Sequence, residues 1–496
     1  MRYPESLRQR YKGILGYTGV IACIVGLLIL SPLLLLPFCN NEIAIAWSFV
    51  LPGLLMLSAG WVLSRLFLPR KAFNLTYQEG SVIVVLSWTM AILAGAFPFL
   101  ISLDLSLTQA VFESTSGWTT TGLSVVDVMT APHLVLFYRS VLQFAGGAGF
   151  AIIMLSALAG PAGTALSAAE GREGRLVPNI KRSAKLVVSM YICYAAMGIM
   201  ALRAVDMEWF DALNHSFTAV STGGFSTRSQ SIGYWNSPGV EAVIIVLMLL
   251  GSTNFLTSYM LLNRKFKLLL RNGELRLEFV LLLLSLTLVF FAVTKNLYSI
   301  LHEALRATIF QVVSAMSTTG FSTVEYDENW CGLGWIVLIV LMLIGGGTGS
   351  TAGGLKQYRI YILYRGLLWE FKRLILPQKA VTDPDVWHGE QQGFISDEDL
   401  RHAGLFVFLY LAMFSFGGMI ISAYGYSLKQ ALFEFASTLG TVGLSAGVTT
   451  ADTPPGILWT QILGMLLGRL EFFTIIIGAI KLSQDLRSMA PNSTRF

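Results

Sequence analysis

Thr120-Thr121-Gly122-Leu123-Ser124 is the first of four copies of one pentapeptide, T-x-G-[L/F]-S. The others read Thr222-Gly223-Gly224-Phe225-Ser226, Thr318-Thr319-Gly320-Phe321-Ser322 and Thr441-Val442-Gly443-Leu444-Ser445. At average composition the pattern arises on the order of once in ten thousand positions, so four copies in one chain are not accidental. The flanks repeat as well. Six residues before each third-position Gly stands a small hydroxyl (Ser116, Thr218, Ser314, Ser437), and nine before it a polar residue (Glu113, His215, Gln311, Glu434). The chain is an internal fourfold repeat of about 100 residues per unit.

Each copy follows a moderately apolar stretch too short to cross a bilayer: Thr108 to Trp118, Phe210 to Val220, Leu301 to Met316 and Leu428 to Leu439. Such stretches read as re-entrant half-helices, tolerated only where they are buried in protein or line a water-filled cavity. A helix C-cap with Gly in the left-handed position would account for one copy. Four copies in register with four half-helices point instead to convergence on one axis. Two spans separate successive copies, so every loop enters from the same face.

Working outward, 54% of the 496 residues are hydrophobic and only 13% charged, which excludes a large soluble domain. Ten apolar runs are candidates for spans of about 20 residues: Ile14 to Phe38, Ile43 to Leu63, Ser81 to Ile101, Leu134 to Leu158, Leu186 to Leu202, Val240 to Leu262, Leu277 to Val293, Gly332 to a break near Gly345 resuming at Leu355, Gly404 to Ala423, and Gly456 to Ile480. The first is too long for a signal-peptide core and reads as a retained span. Basic residues gather in alternate hydrophilic segments: Arg2, Arg8, Arg10 and Lys12; Arg65, Arg70 and Lys71; Arg172, Arg175, Lys181 and Arg182; Arg264, Lys265, Lys267, Arg271 and Arg276; Arg365, Lys372, Arg373 and Lys379; Lys481, Arg487 and Arg495. That bias predicts both termini on the cytoplasmic side of the inner (cytoplasmic) membrane. The net charge of +5 follows this topology and is no nucleic-acid footprint. Cys23, Cys39, Cys193 and Cys331 have no metal-site spacing.

The expected fold is an all-α polytopic membrane protein: a two-helix unit (1–78) and four helix, pore-helix, filter, helix repeats (79–182, 183–273, 274–400 with a broken helix, 401–496) around a pseudo-fourfold pore. A desolvated alkali cation needs oxygen ligands, which a ring of backbone carbonyls supplies without burying a countercharge. Glycine permits that ring, because it reaches positive φ and puts no side chain in the pore. The half-helix C-termini aim partial negative charge at the same place. The expected ion ligands are Thr120, Thr121, Gly122, Thr222, Gly223, Gly224, Thr318, Thr319, Gly320, Thr441, Val442 and Gly443. Glu113 and Glu434 are expected to satisfy loop amides more readily than to touch an ion.

The eighth run is interrupted by Gly345-Gly346-Gly347-Thr348-Gly349-Ser350-Thr351-Ala352-Gly353-Gly354, which cannot hold a stable helix in lipid. Close helix packing through small residues is one reading of the run. Arg469 lies far inside the last run, where a charge faces protein or water, either in an ion pair with a neighbouring helix or as a positive barrier. Glu471, two residues on, cannot share its helical face. Asp104, Asp127, Glu325, Asp327, Glu328 and Asp452 would concentrate cations at the outer mouth.

The four loops, the span count and the stretches Phe225 to Tyr234 and Gly345 to Lys356 resemble the Trk/Ktr/HKT superfamily of cation-uptake proteins over nearly the whole chain. The extra N-terminal helix pair looks like the TrkH-type subunit, while Thr441 to Ser445 looks closer to the Ktr pattern. The resemblance implies that Gly345, Gly346, Gly347, Thr348, Gly349 and Ser350, with Lys356 and Arg469, form a gate under the filter. It implies potassium as substrate, since sodium-favouring plant members carry Ser where this chain has Gly122. It also implies a homodimer and a cytoplasmic nucleotide-binding regulatory subunit; the chain itself carries no nucleotide-binding fingerprint, and no covalently bound cofactor is expected. The residues leave a potential-driven pore and a symporter coupled to sodium or protons both open. An enzyme would need a catalytic cluster, and His133, His215, His302, His388 and His402 are scattered.

Overall fold

The computed structural model describes residues 3–69, 75–149, 180–326, 330–377, 385–388 and 391–489. Arg2, Arg70, Lys71, the end of the fourth apolar run, Arg172, Arg175, Asp327, Glu328, Lys379 and Arg495 lie outside them, as does the Lys181 side chain.

Among the described residues the regular structure is helical apart from one antiparallel hairpin, Asp385–His388 with Gln391–Phe394, near the end of the third repeat. Helices α1 (Tyr3–Leu30) and α2 (Trp47–Phe67) pack on each other and on α3 (Tyr77–Ser102). Four units follow. The first has half-helix α4 (Leu107–Trp118) and helix α5 (His133–Ala148) after α3. The second has α6 (Ile180–Ala204), half-helix α7 (Trp209–Val220), and α8 (Pro238–Ser252) continued by α9 (Phe255–Leu262). The third has α10 (Gly273–Val289), half-helix α11 (Leu301–Met316), α12 (Gly332–Ile344) and α13 (Gln357–Ile375). The fourth has α14 (Asp397–Ala423), half-helix α15 (Leu428–Leu439), α16 (Pro455–Leu470) and α17 (Phe472–Met489).

Among the described residues six helices are long and apolar enough to cross a membrane, and two bent pairs raise the number to eight. Helix α12 is apolar but shorter, and α5 ends at Ala148, capped by Gly149, after 16 residues. Leu51, Leu54, Leu55, Trp61 and Leu66 of α2 and Phe279, Val280, Leu283 and Leu284 of α10 are exposed, as a lipid-facing surface requires. This is a multi-pass membrane protein.

Two runs that hydropathy reads as continuous are bent. Val240 to Leu262 turns by 113° between α8 and α9, and Gly456 to Ile480 by 104° between α16 and α17. The second helix of every unit in fact stops early, after 16, 15, 13 and 16 residues. The stops differ chemically. Gly149 and Gly345 take positive φ (75° and 71°), Glu471 does so without being glycine (62°), and Thr253 is extended. At α8 the carbonyls of Gly251 and Ser252 accept hydrogen bonds from Thr351 and Gly347, so tertiary partners replace the next helical turn.

Candidate functional site

The half-helices are placed by local sequence. Ser106 with Gln109, and Ser427 with Gln430, close capping boxes that start α4 and α15. All four half-helices end one capping residue before a T-x-G copy. The first Thr of each copy, Thr120, Thr222, Thr318 and Thr441, has φ of 56°, 51°, 55° and 50°. A left-handed β-branched residue costs about 1–2 kcal/mol, and such strain collects at functional sites. The third residues, Gly122, Gly224, Gly320 and Gly443, have φ of 91°, 73°, 84° and 100°.

These glycines form a closed cycle with the carbonyls of the neighbouring copies. A Cβ on Gly122 would collide with the Gly223 oxygen, one on Gly224 with that of Thr319, one on Gly320 with that of Val442, and one on Gly443 with that of Thr121. Each contact crosses from one repeat to the next and the fourth returns to the first. The structure thus brings all twelve residues of the four T-x-G triplets to one place.

The repeated flanks hold this ring. Ser116 Oγ accepts from Gly122 N (3.1 Å) and donates to Leu123 O (2.5 Å). Ser314 Oγ donates to Phe321 O (2.6 Å), and Ser437 Oγ accepts from Gly443 N (2.9 Å). Thr218 turns back to Asn214 O instead, and the second strand is held by Gln143 of α5, whose Nε2 donates to Gly223 O (2.5 Å) while its Oε1 accepts from Phe225 N (3.1 Å). The polar residues nine before Gly brace the descending strands: Glu113 accepts from Ser124 and Val125, His215 pairs with Ser226, Gln311 donates to Ser322 and Thr323, and Glu434 accepts from Ser445, Ala446 and Thr449. Both glutamates satisfy loop groups, as the sequence suggested.

Arg139, 2% exposed, pairs with Glu113 at 2.7 Å, donates to Ser124 Oγ and Ser226 O, and lies 3.9 Å over the Phe225 ring. Neither Arg139 nor Gln143 belongs to the repeat motif. Their signal is two polar residues four apart, hence on one helical face, inside the apolar run Leu134 to Leu158.

Outside the ring a vestibule of about 580 Å³ is lined by all four glycines, by Asp127 and Glu325, and by Arg139 and Arg228. Of the six acidic residues expected at the mouth, these two line it; Asp104 and Asp452 stand apart from that lining. Arg228 is held by Asp211 (2.7 Å), a partner that raises its pKa above the ordinary guanidinium value.

Beneath the ring lies the irregular segment between α12 and α13. Thr351 Oγ1 donates to Val220 O and Gly251 O and meets Thr222 Oγ1 at 3.2 Å. Gly353 N donates to Thr318 Oγ1 (2.8 Å), and a Cβ on Gly353 would strike Thr441 Oγ1. Gly347 N donates to Ser252 O, and Thr348 N to the buried Glu274 carboxylate (2.6 Å). Lys356, at φ 70°, donates its Nζ to Ala352 O, tying the segment to itself. Arg469, in the last turn of α16, donates Nη1 to Thr351 O (2.6 Å) and Nη2 to Gly146 O (2.7 Å). It therefore bridges the segment and the end of α5. Glu471 pairs with Arg359 of α13 (2.6 Å). The Oγ1 atoms of Thr120 and Thr441 are buried with no hydrogen-bond partner among the described residues.

The family model described as cation transport protein, TrkH, matches residues 57–488. An uncharacterised cation transporter of Methanocaldococcus jannaschii is 32% identical over 481 residues, 95% of each chain. The Trk system potassium uptake protein TrkH of Escherichia coli K12 is 33% identical over 421 residues, 82% of this chain and 85% of its own. The crystal structure of the potassium transporter TrkH from Vibrio parahaemolyticus superposes with a TM-score of 0.83 at 29% identity, covering 94% of this chain and 98% of that one. With its helical membrane architecture and fourfold loop ring, this chain belongs to the TrkH family of cation transport proteins, and is a transporter rather than an enzyme.

Proposed function

We propose that this chain is the pore-forming subunit of a potassium uptake system, conducting K⁺ down the membrane potential through a gated ring of backbone carbonyls. The observation that carries the reading is the closed cycle of glycine–carbonyl contacts joining Gly122, Gly224, Gly320 and Gly443. Four loops locked glycine-to-carbonyl hold their oxygens at fixed spacing, as dehydration of one ion size requires. The orphaned hydroxyls of Thr120 and Thr441 suit an ion at the lower edge. The Trk names of the relatives support potassium as the ion. Each charge gains about 2.3 kcal/mol per 100 mV of potential.

In this reading Gly345 to Ser350 and Lys356 belong to the gate, with Arg469 as its positive clamp. The division into an N-terminal helix pair (1–78) and four pore repeats follows the same logic. Coupled symport is the alternative, and the carboxylates speak for the pore: Glu113 and Glu434 are occupied by loop donors, and Glu471 by Arg359. Both termini cytoplasmic in the inner membrane, a homodimer, and a cytoplasmic nucleotide-binding regulator complete the proposal; the Lys/Arg bias supports the first and the family resemblance the other two.

The test is flux into liposomes holding the purified protein under an imposed potential, comparing K⁺, Rb⁺, Na⁺ and Li⁺ at several pH values. K⁺ and Rb⁺ flux independent of sodium and proton gradients is expected. Flux that requires either gradient would replace the pore with the symporter.

A further inference from the structure

The ring is fourfold in position but not in chemistry. At the level of its carbonyls stand Thr121, Gly223, Thr319 and Val442, and among the described residues only the Gly223 oxygen receives a side-chain hydrogen bond. Its donor is Gln143 Nε2, from α5 of the preceding repeat. The other half of the same amide accepts the Phe225 N–H. These two partners fix the amide's orientation, because the Phe225 N–H needs an acceptor and the Gly223 oxygen a donor. Gln143 is 0% exposed, and both ends of its amide are taken by the backbone of the second strand.

Two physical consequences follow for Gly223. A carbonyl oxygen has two lone pairs. With one held by an N–H, the oxygen presents a weaker field to a cation at the other, and ligand field strength is one of the two quantities that separate K⁺ from Na⁺. The same bond, backed by the Phe225 contact, stops the strand from collapsing inward around a smaller ion. In the other three strands serines of the strand's own half-helix hold the backbone at neighbouring positions and leave the ring oxygen itself alone.

We infer that Gln143 is a specificity-determining positioning residue: by holding and weakening the Gly223 oxygen, it tunes the ring toward K⁺ over Na⁺. The inference rests on the ring being the ion filter. Charged groups on the surrounding elements, Arg139 and Glu113 on the outer side and Arg469 below, are paired or bonded elsewhere, which leaves the neutral amide as the group acting on this oxygen.

The test compares thermal unfolding of the purified full-length protein in KCl and in NaCl at matched ionic strength, a readout that needs no open gate. An ion bound to the folded state raises the midpoint by mass action, so the wild type is expected to melt higher in KCl. Gln143→Met, of similar volume, removes both hydrogen bonds; Gln143→Asn keeps the amide but falls one methylene short, and covers the case in which the apolar variant does not assemble. Both are expected to narrow the gap between KCl and NaCl, and to lower the K⁺:Na⁺ flux ratio about fivefold, the factor one net hydrogen bond supplies. A lower midpoint with an unchanged gap and flux ratio would make Gln143 a structural support only and overturn the inference. No gap and no flux preference in the wild type would sink the filter reading itself, a different result.

Discussion

Gly122 and Gly223 meet across the boundary between the first and second repeats, the α-carbon of one lying against the carbonyl oxygen of the other with no room for a Cβ. Gly122 also sits at φ 91°, where an L side chain is strained whatever the space. Gly122→Ser must push the Gly223 oxygen off the ring or relax its own strand. Either change loosens the fixed spacing on which ion discrimination depends. The K⁺:Na⁺ flux ratio is expected to fall about tenfold, equivalent to about 1.4 kcal/mol of differential binding. Parallel K⁺ and Na⁺ uptake into liposomes checks it, and an unchanged ratio would remove Gly122 from the filter.

How much of this site was legible depends on what each residue answers to. The T-x-G copies, their half-helices and the two flanking polar positions are set by local backbone needs repeated four times, so the repeat exposes them; Leu301–Met316 and Leu428–Leu439 fall where the sequence places them. Gln143 holds the strand of the neighbouring repeat and Arg139 ties its own repeat to that one, and neither stands at a position of the repeated motif, so no periodic signal marks them. The bends at Ser252 and Glu471 were not legible because hydropathy counts apolar residues and is blind to where carbonyls go: those of Gly251 and Ser252 leave the helix for Thr351 and Gly347, and Glu471 leaves it for Arg359. Arg469, which reads as a mid-helix charge, stands in the last turn of a helix instead.

Arg469 holds the intramembrane segment shut in this reading. Its two donations, to Thr351 O and Gly146 O, join elements from the third and first repeats under the ring. Hydrogen bonds from a charged donor contribute about 1.5–3 kcal/mol, enough to shift a closed–open equilibrium about tenfold or more. Arg469→Ala is expected to raise potential-driven K⁺ flux by that factor, and removing the positive charge acts in the same direction. Flux equal to the wild type would show that another contact sets the closed state.

The segment itself gives a sharper prediction. Its packing against Thr222, Thr318 and Thr441 uses Thr351 and Gly353. Deleting residues 347–349 removes Gly347 and Thr348, whose amides are anchored on Ser252 O and Glu274. The shortened segment should no longer reach across beneath the ring. Higher K⁺ flux with the K⁺:Na⁺ ratio preserved is expected, because the deletion leaves the carbonyl cycle intact. A change in ratio without a change in flux would assign the segment to ion selection instead of gating.

The Arg139–Glu113 pair makes a stability prediction independent of transport. Glu113 is fully buried and Arg139 nearly so, and the carboxylate also accepts from Ser124 Oγ and Val125 N. Glu113→Gln keeps the shape and part of the hydrogen bonding but leaves the guanidinium uncompensated. Removing one partner of a buried pair costs about 3–5 kcal/mol, whereas replacing both is often near neutral. The single variant is therefore expected to melt well below the wild type, and the double variant Glu113→Gln with Arg139→Met to recover much of the loss, since neighbouring residues couple non-additively. Thermal unfolding of the three proteins in one detergent decides it. Additive losses would mean that Arg139 is held mainly by Ser124, Ser226 and the Phe225 ring, with the charge of Glu113 incidental to its placement.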